Sequence, residues 1–187
     1  MSLLKMMFGA LVASVAMFVA GFILFATPLS KIAYASLDDS GSAAVQSALA
    51  QHLPKTGTYV VPDPGTQAGT IAYGRGPVAM VHYNAGGFPV ADTHVILWGF
   101  IHEFLICFVL GWALMGIDRR VPDYVSRFKT VLLFAVAGSG LSFLGMPIWD
   151  HVDWSYAIYN FVANVIMLTL AGGILARWFL PVKAQMP

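Results

Sequence analysis

Residues 6–26 form a run without a single charged side chain, bracketed by Lys5 and Lys31. At a helical rise of about 1.5 Å per residue, such a run reaches across the roughly 30 Å hydrocarbon layer of a bilayer. Lipid offers no water to the backbone, so a segment of this kind satisfies its N–H and C=O groups internally, as a helix. Three further apolar stretches follow, at residues 95–117, 130–146 and 155–176. Charged residues make up only 10% of the chain, where a soluble domain carries about a quarter, and the mean hydropathy is +0.74. The fold class expected is therefore an all-α membrane protein, a four-helix transmembrane bundle whose main solvent is lipid.

The first run presents Gly9, Ala13, Ala16 and Ala20 at four-three-four spacing, a small-residue face that lets another helix approach closely. The third run is similarly rich in small residues, with Ala135, Gly138, Ser142 and Gly145. Lys5 ahead of the first run and Ala33-Tyr34-Ala35 behind it also resemble a signal peptide with its cleavage site. The run exceeds the 7–15 residues of a typical signal core, so residues 1–27 are expected to stay as a signal anchor.

Residues 28–93 change character. Pro28, Pro54, Pro62, Pro64, Pro77 and Pro89, with many glycines, break any spanning pattern. Residues 42–53 have Ala44, Val45, Ala48 and Leu49 at helical intervals and run up to Pro54, which predicts a short helix. Residues 58–61 and 78–83 are β-prone and bounded by Gly and Pro. The expectation is a small α+β extracytoplasmic module, its sheet packed under the helix. Roughly 65 residues bury only a modest core, so docking on the membrane helices should contribute to stability. Residues 94–187 then form a three-helix transmembrane region.

Sidedness follows from the loops. Residues 118–129 hold Arg119, Arg120, Arg127 and Lys129 against Asp118 and Asp123, and short loops enriched in Lys/Arg stay cytoplasmic. Arg177 and Lys183 follow the fourth run, while Asp150, His151 and Asp153 occupy the turn before it. Both termini are therefore expected in the cytoplasm and the module outside. Trp149, Trp154, Tyr156 and Tyr159 gather near one end of the spans and Trp112 and Trp178 near the other, as interfacial belts do. The chain is short, with no organelle address and no glycosylation sequon, which points to a bacterial inner membrane.

The net charge of +1 and the lack of a dense basic run exclude a nucleic-acid partner. Cys107 stands alone, so the chain closes no internal disulfide and builds no Cys-rich cluster; within an apolar run it reads as a small core residue.

Ionisable groups inside a span are costly in hydrocarbon and usually face protein or an internal water cavity. His102 and Glu103 are such groups, and both are expected inside the bundle. Asn160 and Asn164, four residues apart on the fourth run, share a face at a comparable depth, with Ser139 and Ser142 on the third run nearby. These side chains form either interhelical hydrogen-bond glue, a proton relay, or the polar anchor of a lipidic ligand. A second constellation, Asp92, His94, Asp150, His151 and Asp153, lies at the outer surface, where imidazole and carboxylate suit zinc, manganese or iron, although short turns are commonly charged because they are solvated.

Other chemistries fail on particular residues. His102-Glu103 opens like His-Glu-x-x-His, but Ile106 stands where the second histidine belongs. His94 and His102 are too far apart along one helix to hold a single haem iron between them, which leaves only ligation by one of them together with His151 or a partner's histidine. Gly74-Arg75-Gly76 and Gly86-Gly87 lack the lysine and helix start of a phosphate loop and read as turns; no Gly-x-Ser-x-Gly elbow is present. No complete catalytic set is visible and no cofactor is required. The expected function is a non-catalytic accessory subunit, assembly factor or scaffold that contacts lipid and another membrane protein or itself. The alternatives are a membrane enzyme or redox component, and a transporter or channel component, the last disfavoured by four helices without an inverted repeat.

Overall fold

The computed structural model describes residues 3–180. Four spans dominate it: α1 (Leu3–Phe25), α4 (Thr93–Ile117), a third span Tyr124–Trp149 and a fourth Trp154–Phe179. All four are long and apolar enough to cross a membrane, and this is a multi-pass membrane protein. The third span is composite. It comprises α5 (Tyr124–Ser139), a π-helical turn at Gly140–Leu144 and the short α6 (Met146–Trp149). The wider turn precedes Pro147, whose nitrogen has no hydrogen to offer the carbonyl four residues back. The fourth span is α7 (Trp154–Ile174), closed by a second π-helical turn at Leu175–Phe179.

The third span starts earlier than hydropathy suggests. Asp123 caps α5, its Oδ1 accepting from Ser126 N at 2.9 Å, so the basic connection is residues 118–123 rather than 118–129. An N-cap carboxylate satisfies amides that the helix itself leaves open, and that local gain outweighs the polarity of the first turn.

The spans lie in the order α4, α1, α7, α5: α1 packs along α4 and α7, and α7 along α5. The row curls, so α4 and α5 face each other across an apolar groove of about 320 Å³ floored by Leu168. Contact elsewhere is close because the facing residues are small. Ala10, Ala13 and Met17 of α1 meet Cys107 and Leu114 of α4 and Met167 and Ala171 of α7 in one buried cluster. The small-residue face read on the first run is real in Gly9 and Ala13, which are buried, but its buried edge is shifted toward Ala10, Ser14 and Met17. Gly172 lets α5 reach α7: a Cβ built there would stand 2.3 Å from Val131 Cγ1. In lipid, packing of this kind and interhelical hydrogen bonds replace the hydrophobic effect as the force between helices.

Between the first two spans come a 3-10 turn (Pro28–Ile32), α2 (Asp39–His52), β1 (Gly57–Val61), α3 (Gln67–Arg75) and β2 (Ala79–Tyr83). The two strands pair antiparallel, Gly57 opposite Tyr83 and Val61 opposite Ala79. Asp38 caps α2 and Thr66 caps α3. The helix α3 was not expected, because Gly69 and Gly74 lower its intrinsic propensity and its apolar pattern is faint. Gly69 is required by the fold, since a Cβ there would fall 1.8 Å from the Asp63 carbonyl oxygen.

The sheet is not packed under α2 as the sequence suggested. No residue of α2, α3, β1 or β2 is fully buried, and a cleft of about 560 Å³ separates Leu37, Val45 and Leu49 from the segment after β2. Alanine and serine on α2 offer too little apolar surface to close it. Aromatic contacts hold the neighbouring chain to the spans instead: Tyr34 meets Tyr156 edge-on at 5.5 Å and Tyr73 lies 6.1 Å from His151. The Tyr159 hydroxyl donates to the Leu24 carbonyl at the same end.

Candidate functional site

Adjacent residues on a helix point about 100° apart, so the roll of α4 decides which of His102 and Glu103 turns to the bundle interior. The structure turns Glu103 inward and leaves His102 exposed on the surface of α4. The expectation that both side chains meet inside the bundle is corrected on that ground.

Glu103 points toward α1 and α7. A Cβ added at Gly21 would lie 3.4 Å from Glu103 Oε1 and 3.0 Å from Met167 Cε, so the bare glycine makes the space in which both sit. Glu103 Oε2 is buried and has no hydrogen-bond partner among the described residues. Glu103 is also the one acid within the four spans. Below it, Cys107 is fully buried, with Sγ 3.7 Å from Met17 Sδ.

Asn160 and Asn164 share one face of α7, but both amides turn back onto their own helix. Asn160 Nδ2 donates to the Tyr156 carbonyl at 2.8 Å and Asn164 Nδ2 to the Asn160 carbonyl at 2.9 Å. Short polar side chains compete in this way for carbonyls of the preceding turn. The hydrogen-bonded cluster of His102, Glu103, Asn160 and Asn164 expected from depth is therefore not assembled through these amides.

The surface constellation is likewise engaged elsewhere. Asp92 caps α4 by accepting from His94 N at 2.8 Å, and Asp153 caps α7 by accepting from Tyr156 N at 3.1 Å. Asp150 and His151 border a cleft of about 400 Å³ against Tyr73, Val60 and Met80, with His151 in the left-handed region at φ 56°. Among the described residues, no group of three or more His, Cys, Asp or Glu side chains is gathered for a metal ion. Two of the three acids in that set act as helix caps, which is reason enough for their presence.

One buried charge escaped the sequence reading. Arg127, placed there in the cytoplasmic loop, is a fully buried side chain of α5. Its Nε donates to the Val121 carbonyl at 2.8 Å and its Nη1 to the Leu180 carbonyl at 3.3 Å. A signal existed: Arg127, Val131, Ala135 and Ser139 recur every fourth residue, and all four are buried.

No family model, curated protein or solved structure matches this chain. Function is therefore argued from the site itself.

What distinguishes the site is His102. It sits nine residues into α4, about 14 Å from Thr93, which is hydrocarbon depth for a helix starting at the interface. Its face of α4 continues through Ile106, Val109 and Ala113, which border the groove shared with Thr130 and Phe134 of α5. A hydrogen-bonding side chain therefore tops an apolar groove that opens sideways from the bundle.

Proposed function

We propose that this chain is a non-catalytic accessory or scaffold subunit of a membrane assembly, and that another subunit covers the surface around His102. The observation that carries this reading is the exposure of His102 at hydrocarbon depth. An imidazole facing acyl chains loses its hydrogen bonds with water and gains none, a cost of several kcal/mol. A neighbouring subunit offering a hydrogen-bonding group removes that cost.

The orientation proposed has both termini and residues 118–123 in the cytoplasm and the module outside, in a bacterial inner membrane. Arg119, Arg120 and Arg177 support it, because they lie at the opposite end of the spans from Asp150 and Asp153, in agreement with the positive-inside bias.

The test is purification in mild detergent followed by native mass spectrometry and an absorption spectrum. The expected result is a particle heavier than one 20.2 kDa chain, colourless and free of bound metal. A monomer carrying a metal or chromophore would replace this reading with an enzymatic one.

A second reading is favoured by one observation, the buried and unpartnered Oε2 of Glu103. Here Glu103 carries a proton or anchors the polar end of a lipidic ligand, with Asn160 and Asn164 lining the same interior. Glu103→Gln keeps shape but abolishes titration, so loss of the host phenotype in a chain that still accumulates would support it.

A further inference from the structure

A groove of about 210 Å³ runs between the start of α5 and the close of the fourth span. Leu170, Gly173 and Arg177 line it at three-four spacing, so it follows one face of the helix for about 10 Å. Gly173 is its floor: a Cβ built there would touch the Phe128 ring at 3.4 Å and come within 3.8 Å of the Tyr124 hydroxyl. Tyr124 and Phe128, with ring centroids 5.9 Å apart, form the α5 wall. Arg177 and Trp178, both exposed, border the groove where the span ends.

We infer that this groove binds an anionic phospholipid, its phosphate on the Arg177 guanidinium and an acyl chain lying over Gly173. The inference stands on this groove and is independent of what covers His102. Three points select the occupant. A side of a span that no other helix covers meets lipid, so an apolar groove open to the side takes up acyl chain. The polar groups gather at one end, as they do in a lipid: Arg177 lies in the last turn of the span and Tyr124 in the first turn of α5, where spans meet headgroups, while Leu170 and Phe128 lie deeper. Among the described residues, neither the Arg177 guanidinium nor the Tyr124 hydroxyl has a hydrogen-bond or ion-pair partner. A guanidinium presents phosphate with two parallel N–H donors, and Tyr124 adds an O–H. Asp123, the acid beside Tyr124 in sequence, is engaged in accepting from Ser126 N. The charge of Arg177 is therefore matched by an anionic lipid, whereas a zwitterionic one brings an ammonium of its own.

The experiment is native mass spectrometry of the full chain, delipidated in mild detergent and titrated with phosphatidylglycerol or with phosphatidylcholine of the same acyl chains. The unsubstituted chain should bind phosphatidylglycerol about fivefold more tightly, the preference that one arginine at a bilayer surface supplies. Arg177→Gln should abolish that preference. Arg119→Gln combined with Arg120→Gln, two exposed arginines off the groove, should keep it. Gly173→Ala adds one methyl in contact with Phe128 and should weaken both lipids alike. Thermal unfolding of each variant without lipid shows that it is folded. Equal binding of the two lipids by the unsubstituted chain would overturn the inference. So would a preference that survives Arg177→Gln, or one lost equally in the Arg119 and Arg120 variant, which would mark diffuse charge in place of a site. Unchanged binding of both lipids by Gly173→Ala would overturn it as well, by taking the acyl chain out of the groove. None of these outcomes bears on the subunit proposed to cover His102.

Discussion

The guanidinium of Arg127 donates through Nη1 to the carbonyl of Leu180, 53 residues further along the chain. Its Nε simultaneously holds the Val121 carbonyl, so one buried side chain ties the 118–123 connection to the end of the fourth span. Arg127→Gln should therefore destabilise the protein by about 2–4 kcal/mol, since hydrogen bonds to a charged group contribute about 1.5–3 kcal/mol each. Arg127→Lys should fall short of full rescue, because one ammonium cannot reproduce the fork. Thermal unfolding in detergent micelles measures both.

Gly172 and Val131 set the distance between α7 and α5. Gly172→Ala should lower stability by about 1–3 kcal/mol, because the new methyl overlaps Val131 and the helices must separate. Val131→Ala in the same chain should restore part of the loss. A double-mutant cycle that shows strictly additive effects would contradict the close contact.

Acid should loosen two helix starts. The Gly41 amide and the Ser40 hydroxyl hold Asp38 below the ordinary carboxylate range, and hydrogen bonds from Ser126 do the same for Asp123. A carboxylate whose value is lowered by folding contributes stability that is complete above the unfolded value and lost as pH falls through the folded one. Hydrogen exchange at Gly41 and Ser126, corrected for intrinsic rate, should accelerate only as the pH falls beneath the ordinary carboxylate range and be unaffected between about pH 5 and 7. Asp38→Asn should remove the acid response at Gly41 while leaving that at Ser126.

Glu103 offers a separate outcome. Because Oε2 has no partner among the described residues, Glu103→Leu should hold or raise the melting temperature in detergent, as replacement of an unsatisfied buried polar group by an apolar one does. A large loss of stability would mean that a group outside the chain bonds this carboxyl.

Topology is checked by reporters. A fusion inserted after Arg120 should report cytoplasm, and one inserted after Gly65 should report the outside. The reverse pattern would invert the proposed orientation without changing the fold.

Much of this protein is legible before folding is considered. The four spans are written in long, mostly apolar runs, because lipid admits only self-satisfied helices of sufficient length, and that constraint acts on each segment alone. The strands β1 and β2 and the helix α2 are likewise local, since Pro54 stops one and Gly and Pro bound the others. Tertiary structure decided what depends on rotation about a helix axis and on neighbours distant in sequence. Which of His102 and Glu103 faces inward turns on how α4 is rolled against α1, and apolar residues surround α4 so evenly that no stripe in its sequence reports the roll. Arg127 reads as a loop charge until Val121 and Leu180 are brought to it. The carboxylates Asp92 and Asp153 suggest metal ligands by composition, and only the backbone amides of His94 and Tyr156 show them to be caps. Composition reports which groups are present; the distances that assign their work arise only when the spans pack.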